Sequence, residues 1–119
     1  MATGVKVVKI SDIEPKVFDD GLCKITGLIT KTREHIDTVT VSISMLEAEF
    51  DDPACVYEEN DEILYQLEGD ATITWEGGKT IEFHPGMVVF TPKGVKFRYK
   101  CHNKNKHIVI WAPAFDHYD

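Results

Sequence analysis

The chain has 119 residues, of which 43% are hydrophobic and 28% charged, and this balance predicts one globular domain over residues 1–119 with a single core. Its formal net charge of −7 argues against a nucleic-acid partner, because phosphate groups require a basic surface. No apolar run approaches the ~20 residues that span a bilayer, and residues 1–4 lack the basic and apolar parts of a signal segment, so we expect no membrane partner.

The first part of the chain predicts two strands and a loop. The apolar residues of Val5–Ile10 favour a first strand. A second strand is predicted at Gly21–Ile29. The polar stretch 30–37 has no clear period and predicts an exposed loop.

The segment Thr38–Leu46 alternates between apolar and hydroxyl-bearing residues, which is typical of a strand. We expect its apolar face to lie inside, and that face consists of Val39, Val41, Ile43 and Met45. The same parity continues into Glu47 and Glu49. These two carboxylates therefore either turn outward at a bulge or project into the interior.

The second half of the chain alternates short apolar runs with turns that contain glycine and proline. Glu76-Gly77-Gly78 has the composition of a hairpin loop, and His102–Lys106 predicts a solvated loop. Strands are predicted at residues 62–68, 71–75 and 79–83, and at Met87–Thr91, Lys96–Cys101 and His107–Trp111. About ten short strands with regular turn signals predict a sandwich or a closed barrel.

Two spacings in this half resemble the signature motifs of the cupin family. Glu62 and Gly69 fit an E-x6-G spacing, and Gly86, Pro92 and Gly94 fit G-x5-P-x-G. The resemblance implies an all-β fold, the cupin-type double-stranded β-helix or jelly-roll barrel of about ten antiparallel strands. The implied organisation is an N-terminal strand and arm (1–20), a barrel (21–114) and a tail (115–119).

The metal-binding part of these motifs is mostly missing. The two histidine positions of the first motif hold Cys55 and Tyr57, and the histidine and asparagine positions of the second hold Phe97 and Cys101. Of the four usual ligands, Glu62 alone remains. Because transition metals favour imidazole-rich sites, we predict neither a redox metal nor another cofactor. A hard cation such as Mg²⁺, held by carboxylates, is the alternative.

Strand parity predicts which side chains share the barrel cavity. We assign acid–base chemistry to Glu62, Glu49, Tyr57 and Tyr99, because carboxyl groups crowded in an apolar barrel have raised pKa values and exchange protons at neutral pH. The other predicted contacts to substrate come from Glu47, Cys55, Leu64, Gln66, Phe97, Cys101, His107 and Trp111.

Within the cupins, the chain resembles the ethanolamine-utilisation (EutQ-type) branch. The matching segments are Asn60–Ile63, Glu47 with Glu49, Phe90–Gly94 and Ala112–Ala114. Family resemblance implies a homodimer, and this branch adds an acetate-kinase-type activity, which would need ATP and Mg²⁺.

The leading hypothesis is a metal-independent enzyme of the isomerase, dehydratase or epimerase type that acts on a small polar molecule. The alternatives are a cupin that only binds a small molecule, an EutQ-like accessory protein of the acetate-kinase type, and an atypical metal-dependent cupin. Three cysteines without metal-type spacing predict free thiols in a reducing compartment, so we expect a cytoplasmic protein.

Overall fold

The computed structural model describes residues 4–116, and antiparallel β-structure dominates this part of the chain. A four-residue helix, α1 (Lys31–Glu34), and two 3-10 turns at Ile10–Asp12 and Asp19–Gly21 are the helical elements of the described residues. Over the same residues the ten strands are β1 (Lys16–Phe18), β2 (Cys23–Ile29), β3 (Thr40–Leu46), β4 (Asp51–Cys55), β5 (Asp61–Glu68), β6 (Ala71–Trp75), β7 (Thr80–Phe83), β8 (Val88–Thr91), β9 (Phe97–Cys101) and β10 (Asn105–Ala112).

The strands form two antiparallel sheets whose inner faces pack together. One sheet has six strands in the order β1-β2-β3-β10-β5-β8, and the other has four in the order β4-β9-β6-β7. Alternate side chains of both sheets form one buried cluster, as expected where strands with a two-residue period face each other. The predicted all-β jelly-roll architecture is confirmed.

Strand β3 turns its polar face inward, and the expectation that its apolar face lies inside is wrong. Thr40, Ser42 and Ser44 are buried, whereas Met45 is 50% exposed. The pairing with β10 determines this orientation, since Ser44 lies opposite the buried His107. Val41 and Ile43 on the outer face are half-buried, so the apolar face of the strand is partly covered although it does not face the core.

Two further expectations near the N-terminus need correction. Val5–Ile10 is mostly exposed, ends in the 3-10 turn and pairs with no strand of the described chain, so the predicted first strand is absent there. The predicted loop 30–37 contains α1, whose first turn is capped because the Thr30 hydroxyl accepts a hydrogen bond from the Arg33 backbone N–H. The Glu34 carboxylate folds back onto the Thr30 N–H at 2.8 Å and pairs with Arg33.

The glycine of the first motif is required by the approach of two loops. Gly69 has φ +84°, and a Cβ placed there would lie 2.0 Å from the Lys104 carbonyl oxygen. Only glycine permits this close contact. The turn after β5 therefore packs directly against the loop that leads into β10.

Within residues 4–116, no helix combines the length and the apolar character needed to cross a membrane.

Candidate functional site

A cavity of about 290 Å³ lies between the inner faces of the two sheets. Aromatic rings make up much of its wall, and three carboxyl groups reach it. Among the described residues, the aromatic lining side chains are Phe18, Phe50, Tyr57, Phe97, Tyr99 and Trp111. The carboxyl groups belong to Asp19, Asp52 and Glu62, and no described lysine or arginine lines the cavity.

Glu62 of β5 is the carboxyl group at the centre of this site. Its side chain is 4% exposed. The Trp111 indole N–H donates a hydrogen bond to Glu62 Oε2 at 3.1 Å, and Oε1 has no hydrogen-bond partner in the described part of the chain. Burial raises the pKa of Glu62 to about 8; the Trp111 hydrogen bond opposes this shift and the charge of Asp52 adds to it. Glu62 is therefore protonated at neutral pH and ionises within reach of physiological conditions.

A hydrogen-bonded network beside the cavity joins Tyr99 of the four-stranded sheet to β5 and β10 of the six-stranded sheet. The Tyr99 hydroxyl donates to Asn105 Oδ1 at 2.6 Å and lies 3.3 Å from His107 Nδ1. The Gln66 amide donates to the same Asn105 oxygen at 2.7 Å, and the Asn105 amide donates to the Asp70 carbonyl at 3.0 Å. Asn105 thus links the turn after β5 to the cavity wall.

The two titratable groups of this network, Tyr99 and His107, stay neutral across the physiological range. Burial lowers the pKa of His107 to about 4, so its imidazole is uncharged at neutral pH. Burial also raises the pKa of the Tyr99 phenol well above its usual range. These groups can orient a polar substrate by hydrogen bonding, whereas Glu62 is the group suited to exchange a proton.

The three cysteines are buried or half-buried thiols that are unreactive at neutral pH. Cys23, Cys55 and Cys101 are all free. Burial is the main cause that raises the pKa of each thiol to about 12. A thiolate is the reactive form of cysteine, so these side chains act as packing groups at neutral pH.

The structure brings most of the predicted site residues together. Those that line the cavity are Cys55, Tyr57, Glu62, Leu64, Phe97, Tyr99, His107 and Trp111. Gln66 and Cys101 are buried but do not line the cavity. Gln66 accepts a hydrogen bond from the Tyr99 hydroxyl at 3.3 Å. The roles assigned to these residues remain predictions.

The placement of Glu47 and Glu49 in the cavity is wrong. Strand β3 ends at Leu46, whose side chain faces inward, so the next residue points away from the cavity. Glu47 Oε2 lies 3.6 Å from the Lys104 amine, and Glu49 is exposed in a turn. Glu49 therefore cannot share acid–base work with Glu62.

Sequence reasoning missed four polar residues at the site, and one of them, Ser44, was expected on the outer face of its strand. Asp19 and Asp52 line the cavity from segments that the apolar patterns left unassigned. Asn105, within the predicted solvated loop, is 3% exposed and begins β10. The spacing to His107 could have predicted this position. Residues two apart on a strand share one face, so an inward-facing His107 implies an inward-facing Asn105.

The residues at the family's metal-ligand positions do not fit a metal ion. Phe97 has no donor atom, and Cys55, Tyr57 and Glu62 supply no imidazole nitrogen. Within residues 4–116, no group of three or more histidine, cysteine, aspartate or glutamate side chains is placed to hold a metal ion. The residue types at these positions therefore differ from the histidine-rich ligand set that cupins usually have.

Comparison with known proteins identifies the family. A family model described as the cupin domain matches residues 46–113. The chain belongs to the cupin family. A search of the curated proteins finds no match.

Solved structures share the fold at low sequence identity. A putative ethanolamine utilization protein Q (EutQ) from Salmonella typhimurium LT2 is 24% identical with a TM-score of 0.75, covering 94% of this chain and 89% of that chain. Ectoine synthase from P. lautus is 18% identical with a TM-score of 0.81, covering 94% and 80%. KdgF from Halomonas sp. is 11% identical with a TM-score of 0.79, covering 92% and 96%. The predicted resemblance to EutQ-type cupins is confirmed at the level of the fold.

Proposed function

We propose that this cupin is a small-molecule enzyme in which Glu62 transfers a proton to or from a substrate bound in the cavity. One observation supports the proposal. Glu62 lines the cavity and is only 4% exposed, yet its Oε1 atom has no hydrogen-bond partner among the described residues. A buried carboxyl group whose pKa lies near neutrality is suited to general acid–base catalysis. The reaction class is isomerisation, dehydration or epimerisation, each of which moves a proton on carbon or oxygen.

The other cavity residues fit supporting roles in such a reaction. The Trp111 indole fixes one carboxyl oxygen and leaves the other to face the substrate. Tyr99 of the facing sheet and neutral His107 of the strand next to Glu62 present polar atoms to the cavity, where they orient a hydroxyl or carbonyl group. Tyr57 packs edge-on against Phe115 at a ring-centroid distance of 5.1 Å and helps to exclude water.

The rival proposal is a cupin that binds a small molecule without converting it. One observation favours it. Besides Glu62, four of the described groups that line the cavity have shifted pKa values, and all four keep one protonation state around neutral pH: Cys23, Cys55, Tyr99 and His107. Elimination chemistry commonly uses an acid and a base together, and Glu62 would have to serve as both.

The test is conversion of small polar molecules in heavy water, followed by proton NMR. We expect the wild-type protein to convert, or to exchange a carbon-bound proton of, at least one compound in a panel of amines, amino acids, hydroxy acids and sugars. Glu62→Gln, which keeps the size of the side chain, should lower that rate by about 10²- to 10⁴-fold. Glu68→Gln, an exposed carboxylate on the same strand, is the matched control and should keep the full rate.

Two results would overturn the enzyme proposal. One is an unchanged rate in Glu62→Gln. The other is a panel in which compounds stabilise the protein against heat but none is converted, which is the behaviour expected of the binding protein.

We further propose that a second copy of the chain covers the outer face of the six-stranded sheet. Met45, Tyr65, Val88 and Phe90 are each 44–60% exposed there. The register places them on one face, since Tyr65 lies opposite Val88, and Ile63 opposite Phe90. Contiguous apolar patches larger than a few hundred Å² are rare on monomers, and a two-fold axis would bury this face against itself.

The dimer proposal predicts that Phe90→Glu gives a folded monomer. The residue is exposed within the chain, so the charge disturbs an interface and leaves the core intact. Sedimentation equilibrium measures the change in mass, and circular dichroism checks the fold. Thr74→Glu, on β6 of the other sheet, should remain dimeric. A monomeric wild-type protein at micromolar concentration contradicts the proposal.

A cytoplasmic location is part of the same proposal. Three free cysteines, none of them paired in a disulfide, are consistent with a reducing compartment.

A further inference from the structure

We propose that the cavity selects a small organic cation, a substituted ammonium group, which sits against the aromatic walls with its charge facing the carboxyl groups of Asp19, Asp52 and Glu62. This inference names the substrate class of the proposed function and rests on it. It is carried by three observations: the sign of the charges that line the cavity, the aromatic character of the walls, and the unpartnered carboxyl oxygen of Glu62.

The charged groups of the cavity all favour a cation. Asp19 is exposed and marks the side where the cavity meets solvent, and Asp52 is half-buried further in. Both act electrostatically on the Cys23 thiol, so they lie at the same end of the cavity. None of the described lysines or arginines lines this space to balance them. An anionic ligand would meet uncompensated negative charge, whereas a cation is attracted on entry.

The walls supply the surfaces that bind ammonium groups in water-excluded sites. Tyr57 and Trp111 are neighbours with ring centroids 5.6 Å apart, and both line the cavity. Tyr99 lines it from the other sheet. The face of an aromatic ring attracts a cation, with tryptophan and tyrosine the strongest, and substituted ammonium groups are bound by cages of such rings. Their weakly hydrated surface also makes them less costly to desolvate than a metal ion.

Once ionised, Glu62 adds a hydrogen-bond acceptor and a negative charge to the cavity. Its Oε1 is the one buried side-chain polar atom without a hydrogen-bond partner in the described part of the chain. Buried polar atoms are paired in the great majority of cases, so an orphan that lines a cavity indicates a missing ligand group. The volume of about 290 Å³ lies at the lower end of the range for small-molecule pockets, which limits the ligand to a small compound.

Binding of a cation should be coupled to ionisation of Glu62. The charged neighbours along the cavity are Asp19 and Asp52, and the charge of Asp52 opposes this ionisation in the absence of ligand. Tyr57 also lines the cavity, and four further titratable groups there are neutral at neutral pH: the phenol of Tyr99, the imidazole of His107, and the thiols of Cys23 and Cys55. A bound cation stabilises the carboxylate and expels its proton, so a cationic substrate converts the protonated acid into a base.

The test compares a cation with its uncharged isostere by titration calorimetry. Choline and 3,3-dimethyl-1-butanol have the same shape and differ in the charge of the head group. We expect choline to bind at least about tenfold more tightly than the alcohol. Asp52→Asn should weaken choline binding by about threefold to tenfold and leave the alcohol unchanged. Between pH 6.5 and 8.5 the affinity for choline should rise by about tenfold in the wild type and stay flat in Glu62→Gln.

Each outcome decides the inference separately from the proposed enzyme. Equal affinity for the two compounds, tighter binding of the alcohol, or no binding of choline overturns the cation site. Choline binding that shows these dependences, in a protein that converts no compound, supports the cation site and refutes catalysis. Conversion of a neutral or anionic compound without any preference for choline supports catalysis and refutes the cation site.

Discussion

Glu62→Gln is expected to make the protein more stable than the wild type at pH 9, by about 5 kcal/mol, and to leave its stability nearly unchanged at pH 4. The pKa of Glu62 rises from 4.5 to about 8 on folding. A shift of one pKa unit corresponds to about 1.36 kcal/mol, and the full difference sets the expected magnitude. Chemical denaturation at a series of pH values measures the two stabilities.

The sign follows from which state binds the proton more tightly. The folded protein holds the Glu62 proton up to about pH 8, whereas the unfolded chain releases it near 4.5. The stability associated with this proton is complete below about pH 4.5 and is lost as the pH rises to about 8. Glutamine has no such proton, so the variant avoids the loss. The acid-side loss caused by neutral, buried His107, whose folded pKa is about 4, affects both proteins equally and cancels in the comparison.

Glu68→Gln is the control for this experiment, since the exposed carboxylate on the same strand should not change the pH dependence. A constant difference between Glu62→Gln and the wild type at all pH values would show that the buried carboxyl group does not hold its proton. Together with the loss of turnover expected of the same variant, a gain in stability identifies Glu62 as a residue kept for its chemistry at a cost to the fold.

Asn105→Ala is expected to lower the free energy of unfolding by about 3–5 kcal/mol. The side chain is 3% exposed and accepts hydrogen bonds from Tyr99 and Gln66 at 2.6 and 2.7 Å. Gln66 is fully buried, so the substitution leaves its amide group partly unpaired in the interior. An unsatisfied buried polar group costs about 1–3 kcal/mol, and several are created at once.

Urea denaturation checks this value, and Asn103→Ala is the comparison. Asn103 is exposed and accepts from the Asp70 backbone N–H at 2.7 Å, so we expect a loss of about 1 kcal/mol there. A loss below about 1 kcal/mol in Asn105→Ala would mean that water or a shifted side chain replaces the network. Because Asn105 supports Tyr99, the variant should also bind cavity ligands more weakly.

Several turns of this fold can be predicted from the sequence, because glycines with a positive φ mark them. Gly69 lies at a backbone φ of +84° against the Lys104 carbonyl, and Gly86 and Gly94 adopt similar left-handed conformations. A side chain is strained at such a positive φ, and at Gly69 its Cβ would also clash, so the spacing of glycines reports the spacing of turns. The strands between them, and through them the jelly-roll fold, could therefore be predicted from one sequence.

The inward face of β3 could not be predicted in the same way. Alternation shows that two faces differ, and the choice between them assumes that the apolar face is the buried one. In β3 the outer residues Val41 and Ile43 are also partly covered, and the inner Ser44 lines the cavity. The wrong placement of Glu47 and Glu49 in the cavity follows from that one assumption, because the alternation puts both on the same side as the apolar face.

The absence of histidine at the family's metal positions can be read from the sequence, whereas the charge of the cavity cannot. Cys55, Tyr57 and Phe97 occupy three of these positions, and the absence of a bound metal stays a prediction. Asp19 and Asp52 reach the cavity from short segments where a 3-10 turn and a register shift interrupt the period-two pattern. Tertiary contacts, rather than local periodicity, bring them to the site.

The most direct test of the central claim is a carbon-13 NMR titration of the Glu62 side-chain carboxyl group, assigned by its absence in Glu62→Gln. We predict a single titration with a midpoint near pH 8, well above the ordinary value of 4.5. That result establishes a protonated carboxyl group in the cavity at neutral pH. A midpoint near 4.5 would show a solvated or ion-paired carboxylate, and both the acid–base role of Glu62 and the coupling of its proton to a cationic ligand would be wrong.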